Sequence, residues 1–211
     1  MYSVAYFLCN SKLFLYSTLY ERYMQQYPNL IKVAILIADG FEQVEMTCAR
    51  HALSEAGAIT DIISPNKDKV RGWNRVDWGK TYEVDVPLNM ARAEYYDALL
   101  LPGGVMNADI LRTNVKALEF VYGFFVTNKP VAAICHGSQI LIDANVVAGR
   151  KITSVGSIRV DLLNAGAIWE DRALVNCGGL ITSRNVDDLP VFTKAIVKEF
   201  NLHQNHKFLY Q

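Results

Sequence analysis

The chain has 211 residues with 21 basic and 21 acidic side chains, half of it apolar (51%) and a fifth charged (20%). These values suit one ordinary globular domain with a substantial core, and they exclude a disordered or collagen-like chain. No Lys/Arg stripe offers a nucleic-acid footprint, and no stretch reaches the ~20 apolar residues needed to span a bilayer.

Residues 1–30 differ in texture from the rest, with Tyr2, Tyr6, Tyr16, Tyr20, Tyr23 and Tyr27. No basic residue precedes Lys12, and Cys9 to Lys12 interrupt the apolar run, so the segment does not read as a signal peptide. Two readings stay open: an appended helix, or an over-long translation start with the domain beginning near Leu30. Ile31–Ala38 (IKVAILIA) reads as a core strand, and Asp39-Gly40 as a turn. Glu42–Ala56 has helical spacing and ends at Gly57. Ala58–Ser64 is a second strand. Residues 66–86 form a polar excursion or hairpin, held down by Trp73 and Trp78. Tyr96–Leu101 is a third strand and runs into Pro102-Gly103-Gly104. Val115–Thr127 is a helix. Lys151–Ser154, Ala167–Trp169, Ala173–Asn176 and Leu180–Thr182 read as short strands, with helices over Ile158–Ala165 and Asp188–Phe200. Residues 203–211 read as a polar tail. The alternation of strands and helices predicts an α/β layered domain with a mainly parallel sheet. In such sheets function gathers at the carboxyl ends of the strands.

The most informative stretch is Val131–Ile134 followed by Cys135-His136-Gly137. A short apolar strand turns sharply into a helix beginning at Ser138, with cysteine at the corner. Such an elbow holds a nucleophile clear of the backbone at the positive end of a helix, where a thiol ionises more readily. A lone cysteine in an apolar run is more often a buried filler, but packing gives no reason for the His-Gly that follows. Cys135 is therefore a candidate nucleophile and His136 a candidate base. The other cysteines (Cys9, Cys48 and Cys177) have no paired spacing, so neither a zinc or CxxC redox motif nor a disulfide framework is expected. This usage points to a reducing, cytoplasmic setting.

With these segments in place the chain resembles the PfpI family, the intracellular-protease-like branch (peptidase C56 type) of the class I glutamine amidotransferase-like superfamily. The matching segments are residues 38–45 (ADGFEQVE), 96–104 (YDALLLPGG), 132–137 (AAICHG), 148–154 (AGRKITS) and 182–190 (TSRNVDDLP), in family order from about residue 31 to about residue 202. The resemblance implies a flavodoxin-like three-layer sandwich with a nucleophile elbow. It makes Cys135 the nucleophile, His136 the base or proton shuttle, and Glu45 the acid that hydrogen-bonds and tunes the thiol. The backbone N–H groups of Gly104 and His136 would form an oxyanion hole. It implies no cofactor and no metal, and a homo-oligomer (dimer or hexamer) in which a neighbouring subunit supplies a carboxylate for His136. The chain departs from the pattern at Val155, where relatives often carry tyrosine or histidine, and at Cys177, where they commonly carry aspartate.

The remaining candidates read as structural. Glu42 is a helix-start charge, three residues before Glu45 on the same face. Cys48 is packing, or faces the same pocket. His51 is a structural or surface histidine. Trp73 and Trp78 pack the excursion and wall a pocket or an interface. Arg184 is an ion-pair partner. His203 and His206 lack a third metal ligand. The expected activity is attack of Cys135 on the carbonyl of a small aldehyde, a protein–aldehyde adduct or a peptide, as a deglycase, glyoxalase-like enzyme or peptidase serving stress protection. The alternative is a non-enzymatic redox sensor or stress chaperone that uses an oxidisable Cys135.

Overall fold

The computed structural model describes residues 30–207, with side chains through Asn201. The tyrosine-rich extension, Cys9 and the imidazoles of His203 and His206 lie outside the described residues. In chain order the elements are β1 (Lys32–Leu36), β2 (Phe41–Glu42), α1 (Gln43–Glu55), β3 (Ile59–Ser64), β4 (Lys69–Asn74), β5 (Asp77–Glu83), β6 (Val86–Pro87), β7 (Ala98–Leu101), α2 (Val105–Arg112), α3 (Val115–Val126), β8 (Val131–Ile134), α4 (Ser138–Asp143), β9 (Lys151–Ile152), α5 (Arg159–Asn164), β10 (Ile168–Trp169), β11 (Leu174–Cys177), β12 (Leu180–Ser183) and α6 (Leu189–Lys207). Short 3-10 turns cover Cys135–Gly137 and Gly156–Ile158.

The apolar runs pair as the central sheet, in the order β11-β12-β8-β7-β1-β3-β6. Every pair is parallel except β11 with β12. The middle strands β1, β7 and β8 are buried along their whole length, which is why they read as unbroken apolar runs and not as alternating ones. Val33, Ile35, Ala98, Leu100, Ala132, Ile134 and Ile181 share one core with Met46, Ala49 and Leu53 of α1 and Phe192, Ile196 and Phe200 of α6. Leu99, Leu101, Val131 and Ala133 alternate with these residues and are equally buried, as are Leu111 of α2, Phe124 of α3 and Leu141 of α4. Helices thus cover both faces of a mainly parallel sheet, the flavodoxin-like sandwich that the sequence implies.

The main differences between sequence and structure concern α2, the third strand, Trp78 and the closing helix, while the excursion takes the hairpin form that the sequence offered. The helix α2 was not indicated by the sequence, because Val105, Met106 and Ile110 are exposed and break the apolar periodicity. It starts at Gly104 with no side-chain cap. The third strand begins at Ala98, not Tyr96; Tyr96 is buried just before it, and its hydroxyl donates to Asp61 Oδ2 at 2.9 Å. The excursion is a hairpin, β4–β5, to which β2 adds a third strand. Trp78 stacks edge-to-face on Trp73 yet is 41% exposed, because the hairpin packs only one of its faces. The closing helix continues past Phe200 to Lys207.

Packing of α6 on α1 fixes the helix that carries Glu45. Phe192 is fully buried in that layer. Phe192→Ala should lower the unfolding free energy by about 3–5 kcal/mol, read as a lower urea midpoint at unchanged m-value.

Candidate active site

Three strand ends converge at the carboxyl edge of the sheet. The chain switches from one side of β1 to the other here, with β3 on one flank and β7 on the other, which is where open α/β sheets place their sites. After β8 comes Cys135, with a backbone φ of 58°. That left-handed conformation is uncommon for a residue with a side chain. After β7 comes Gly103-Gly104. A Cβ at Gly103 would strike the Glu45 carboxylate and Cys135 Cβ, and one at Gly104 (φ 99°) would strike the backbone of Gly40, Phe41 and Glu42. Glycine is therefore required for the β7 turn to lie between the other two strand ends.

Glu45 is delivered by the first turn of α1 and is 1% exposed. Its Oε2 accepts the Gly103 N–H at 2.8 Å. Burial raises its pKa to about 7, against the opposing pull of the Gly103 hydrogen bond and with help from the nearby Glu42 charge. Contrary to the ready ionisation expected of an elbow cysteine, burial raises the Cys135 thiol, and an ionised Glu45 raises it further. The two groups are hydrogen-bonding neighbours, so they handle protons as a pair. When Glu45 carries the proton, its repulsion of a thiolate disappears. Cys135 Sγ lies 3.4 Å from His136 Nδ1, and burial lowers the imidazole pKa, which favours the neutral ring that can accept a proton. On the far side of the ring, Nε2 lies 3.2 Å from Ser157 Oγ.

The elbow opens into a cleft of about 540 Å³ lined by Glu42, Trp73, Arg75, Val105, Met106 and Val186, among others. Trp73 and Arg75 come from the hairpin. Asp39 anchors that hairpin to the end of β1, accepting from Arg71 N–H at 2.7 Å and from Asn66 Nδ2 at 2.9 Å. Val186 is carried by the segment after β12, which Arg184 fastens through both oxygens of Asp188 (2.8 and 3.0 Å) and through Asp171 (2.8 Å).

The structure thus brings together Cys135, His136, Glu45 and Gly104, as the resemblance implies, and gives Arg184 its ion pairs. Glu42 is more than a helix-start charge. It lines the cleft, one of its oxygens (Oε1) is buried without a hydrogen-bond partner, and burial raises its pKa. Cys48 neither packs nor faces the cleft; it is exposed on the outer side of α1. His51 is also exposed, and Val155 does not line the cleft. Sequence reasoning missed two residues. Asn107 is fully buried, accepts Ala38 N–H at 2.7 Å and donates to the carbonyls of Pro102 and Gly103, stitching β1 to the glycine turn. Its signal was a polar residue three positions after Gly104, directly behind the apolar pair Val105-Met106. Ser157 is the second, and nothing local pointed to it. Among the described residues no three His, Cys, Asp or Glu side chains are grouped to hold a metal ion, and no helix is long and apolar enough to cross a membrane.

The Glu45 shift has a stability consequence. Its folded pKa lies above the ordinary carboxyl value of 4.5, so the folded state binds more protons between these two values. Stability from this group is fully present below pH 4.5 and is lost as pH rises through about 7. Glu45→Gln should remove a pH-dependent loss on the order of 3 kcal/mol, seen as a flatter urea-midpoint profile across that window than wild type gives.

Residues 31–199 match the model of the DJ-1/PfpI family. Deglycase TK1284 of Thermococcus kodakarensis is 41% identical over 168 residues, 80% of this chain and 98% of that one. Deglycase PfpI of Pyrococcus furiosus is 40% identical over 168 residues, with the same coverage. Among solved structures, a two-domain protein from Anabaena variabilis with DJ-1/ThiJ/PfpI-like and ferritin-like domains superposes with a TM-score of 0.75 at 36% identity, over 80% of this chain and 47% of that chain. Drosophila melanogaster DJ-1beta gives a TM-score of 0.74 at 22% identity, over 86% of this chain and 99% of its own, and shares the fold. Matching over most of its length in sequence, and in the sheet that carries the cysteine elbow, the chain belongs to the DJ-1/PfpI family.

Proposed function

We propose that this protein is a cysteine-dependent enzyme acting on carbonyl groups, a deglycase or glyoxalase-type catalyst with Cys135 as its nucleophile. One observation carries the reading: a left-handed elbow holds the thiol between a neutral imidazole at 3.4 Å and a buried, protonatable carboxyl. A buried filler cysteine needs neither neighbour. Relatives named deglycases, 40–41% identical over 98% of their lengths, support turnover over the sensor reading.

In this mechanism His136 Nδ1 takes the thiol proton as sulfur attacks the carbonyl carbon. The carbonyl oxygen becomes an oxyanion beside the N–H groups of Gly104 and His136, and the His136 N–H already faces the sulfur. An α-oxoaldehyde gives a hemithioacetal. A proton then moves from the hemithioacetal carbon to the adjacent ketone carbon, and Glu45 can relay the hydroxyl proton to the ketone oxygen; the ketone is reduced to an alcohol as the hemithioacetal carbon is oxidised to a thioester, which water cleaves to the hydroxy acid and the free thiol. The cleft volume of about 540 Å³ exceeds the needs of a free three-carbon aldehyde, which favours an adduct carried on a side chain. The same reading takes the protein to act in the cytoplasm, on small carbonyl or peptide substrates, as a homo-oligomer. Val105 and Met106 supply exposed apolar surface beside the cleft for a second copy.

The test offers free methylglyoxal and a methylglyoxal-modified peptide to wild type and to Cys135→Ser in buffer free of amines and thiols, with lactate as readout. Wild type should turn over many times, and the variant should lose at least about 100-fold in rate. Equal, slow consumption by both would remove the carbonyl reading. Cleavage of an unmodified peptide by wild type alone would make the protein a peptidase.

A further inference from the structure

We propose that Ser157 is the positioning residue for His136: its hydroxyl accepts the Nε2 proton and so keeps Nδ1 unprotonated toward the Cys135 sulfur. The inference rests on the reading that Cys135 and His136 are the reacting pair. A neutral imidazole carries one proton, and which nitrogen holds it is set by the partner of the other. Nδ1 can take the thiol proton only if it is bare, so the ring proton must sit on Nε2 and find an acceptor there. Ser157 Oγ lies 3.2 Å from that atom. The resulting line runs from sulfur to Nδ1 at 3.4 Å, through the ring, and from Nε2 to a hydroxyl at 3.2 Å.

The assignment to Ser157 is selective within its loop. Of the three hydroxyls between residues 153 and 157, Thr153 Oγ1 donates to Arg172 O at 2.8 Å. Ser154 Oγ donates to Val155 O and accepts from Trp169 Nε1. Both are buried and committed to holding the loop. Val155 has no polar side-chain atom. Ser157, on the 3-10 turn that leads into α5, is the hydroxyl turned toward the imidazole. The charged or titratable groups sharing the cleft with His136 are Glu42, Glu45, Arg75 and Cys135.

When sulfur attacks a carbonyl carbon, the S–H proton passes to Nδ1 and the C=O pair moves to oxygen. The ring, now with both nitrogens protonated, keeps its Nε2–H on Ser157. Because Ser157 is exposed, water competes for Nε2, and the effect is modest: on the order of 3- to 10-fold.

The test uses the full chain as wild type, Ser157→Ala and Ser157→Thr, all substitutions at an exposed site. Side-chain nitrogen NMR of His136, above its titration range, reports the tautomer. Iodoacetamide labelling of Cys135, followed by intact mass, reports thiol activation without any substrate. Wild type and Ser157→Thr should show mainly the Nε2–H form. Ser157→Ala should show a tautomer mixture and label about 3- to 10-fold more slowly. An unchanged tautomer and labelling rate in Ser157→Ala would overturn the proposal and leave the orienting role to a carboxylate of a neighbouring copy. Both assays are independent of turnover, so a protein that consumes no carbonyl compound yet shows these signatures loses the functional reading and keeps this one.

Discussion

Holding a cysteine at φ 58° is unfavourable, and Cys135 holds it because the chain on either side has nowhere else to go. Val131–Ile134 is pinned between β7 and β12 by parallel pairing. Two residues after the cysteine, Gly137 passes so close to the backbone of Leu101 and Pro102 that no side chain fits. Between these fixed points the chain must reverse, and the reversal lifts the sulfur out of the strand. The same crowding leaves Gly103 facing both Cys135 and Glu45. The elbow, the glycine turn and the buried acid are thus one packing solution.

The energetic counterpart is a carboxyl group with almost no access to water. Glu45 receives one backbone N–H, neighbours the sulfur, and borders the cleft while only 1% exposed. Desolvation therefore decides its protonation, and the thiol inherits the result through direct contact. The neutral imidazole, partly buried for the same reason, moves toward Glu45 in acidity, while the thiol is pushed away from both.

Much of this was legible in the sequence because each key feature has a local cause. Residues 131–137 announce a buried strand, a corner and a nucleophile within one window. Gly103-Gly104 announces a turn that tolerates no side chain. What was not legible depends on tertiary approach. Helix α2 has an irregular apolar pattern, because its residues Val105 and Met106 face the cleft while Asn107 points into the backbone network. Cys48 sits three residues from Glu45, yet that step turns the side chain by about 60° around the helix axis, which leaves one buried and the other exposed. Ser157 lies 21 positions after His136, and its nearness follows only from how the strand after α4 folds back.

The cleft has two walls of different origin. Its reactive wall consists of three strand ends that cannot change without repacking the sheet. Its opposite wall, with Trp73 and Arg75, comes from a hairpin inserted between β3 and β6, joined to the body chiefly through Asp39, Gln43 and the short β2 pairing. Mutations in that ribbon are free to accumulate without disturbing the chemistry behind it. The architecture separates what the protein does to a carbonyl from which molecule it admits, so one catalytic frame can be refitted to new substrates by exchanging a single loop.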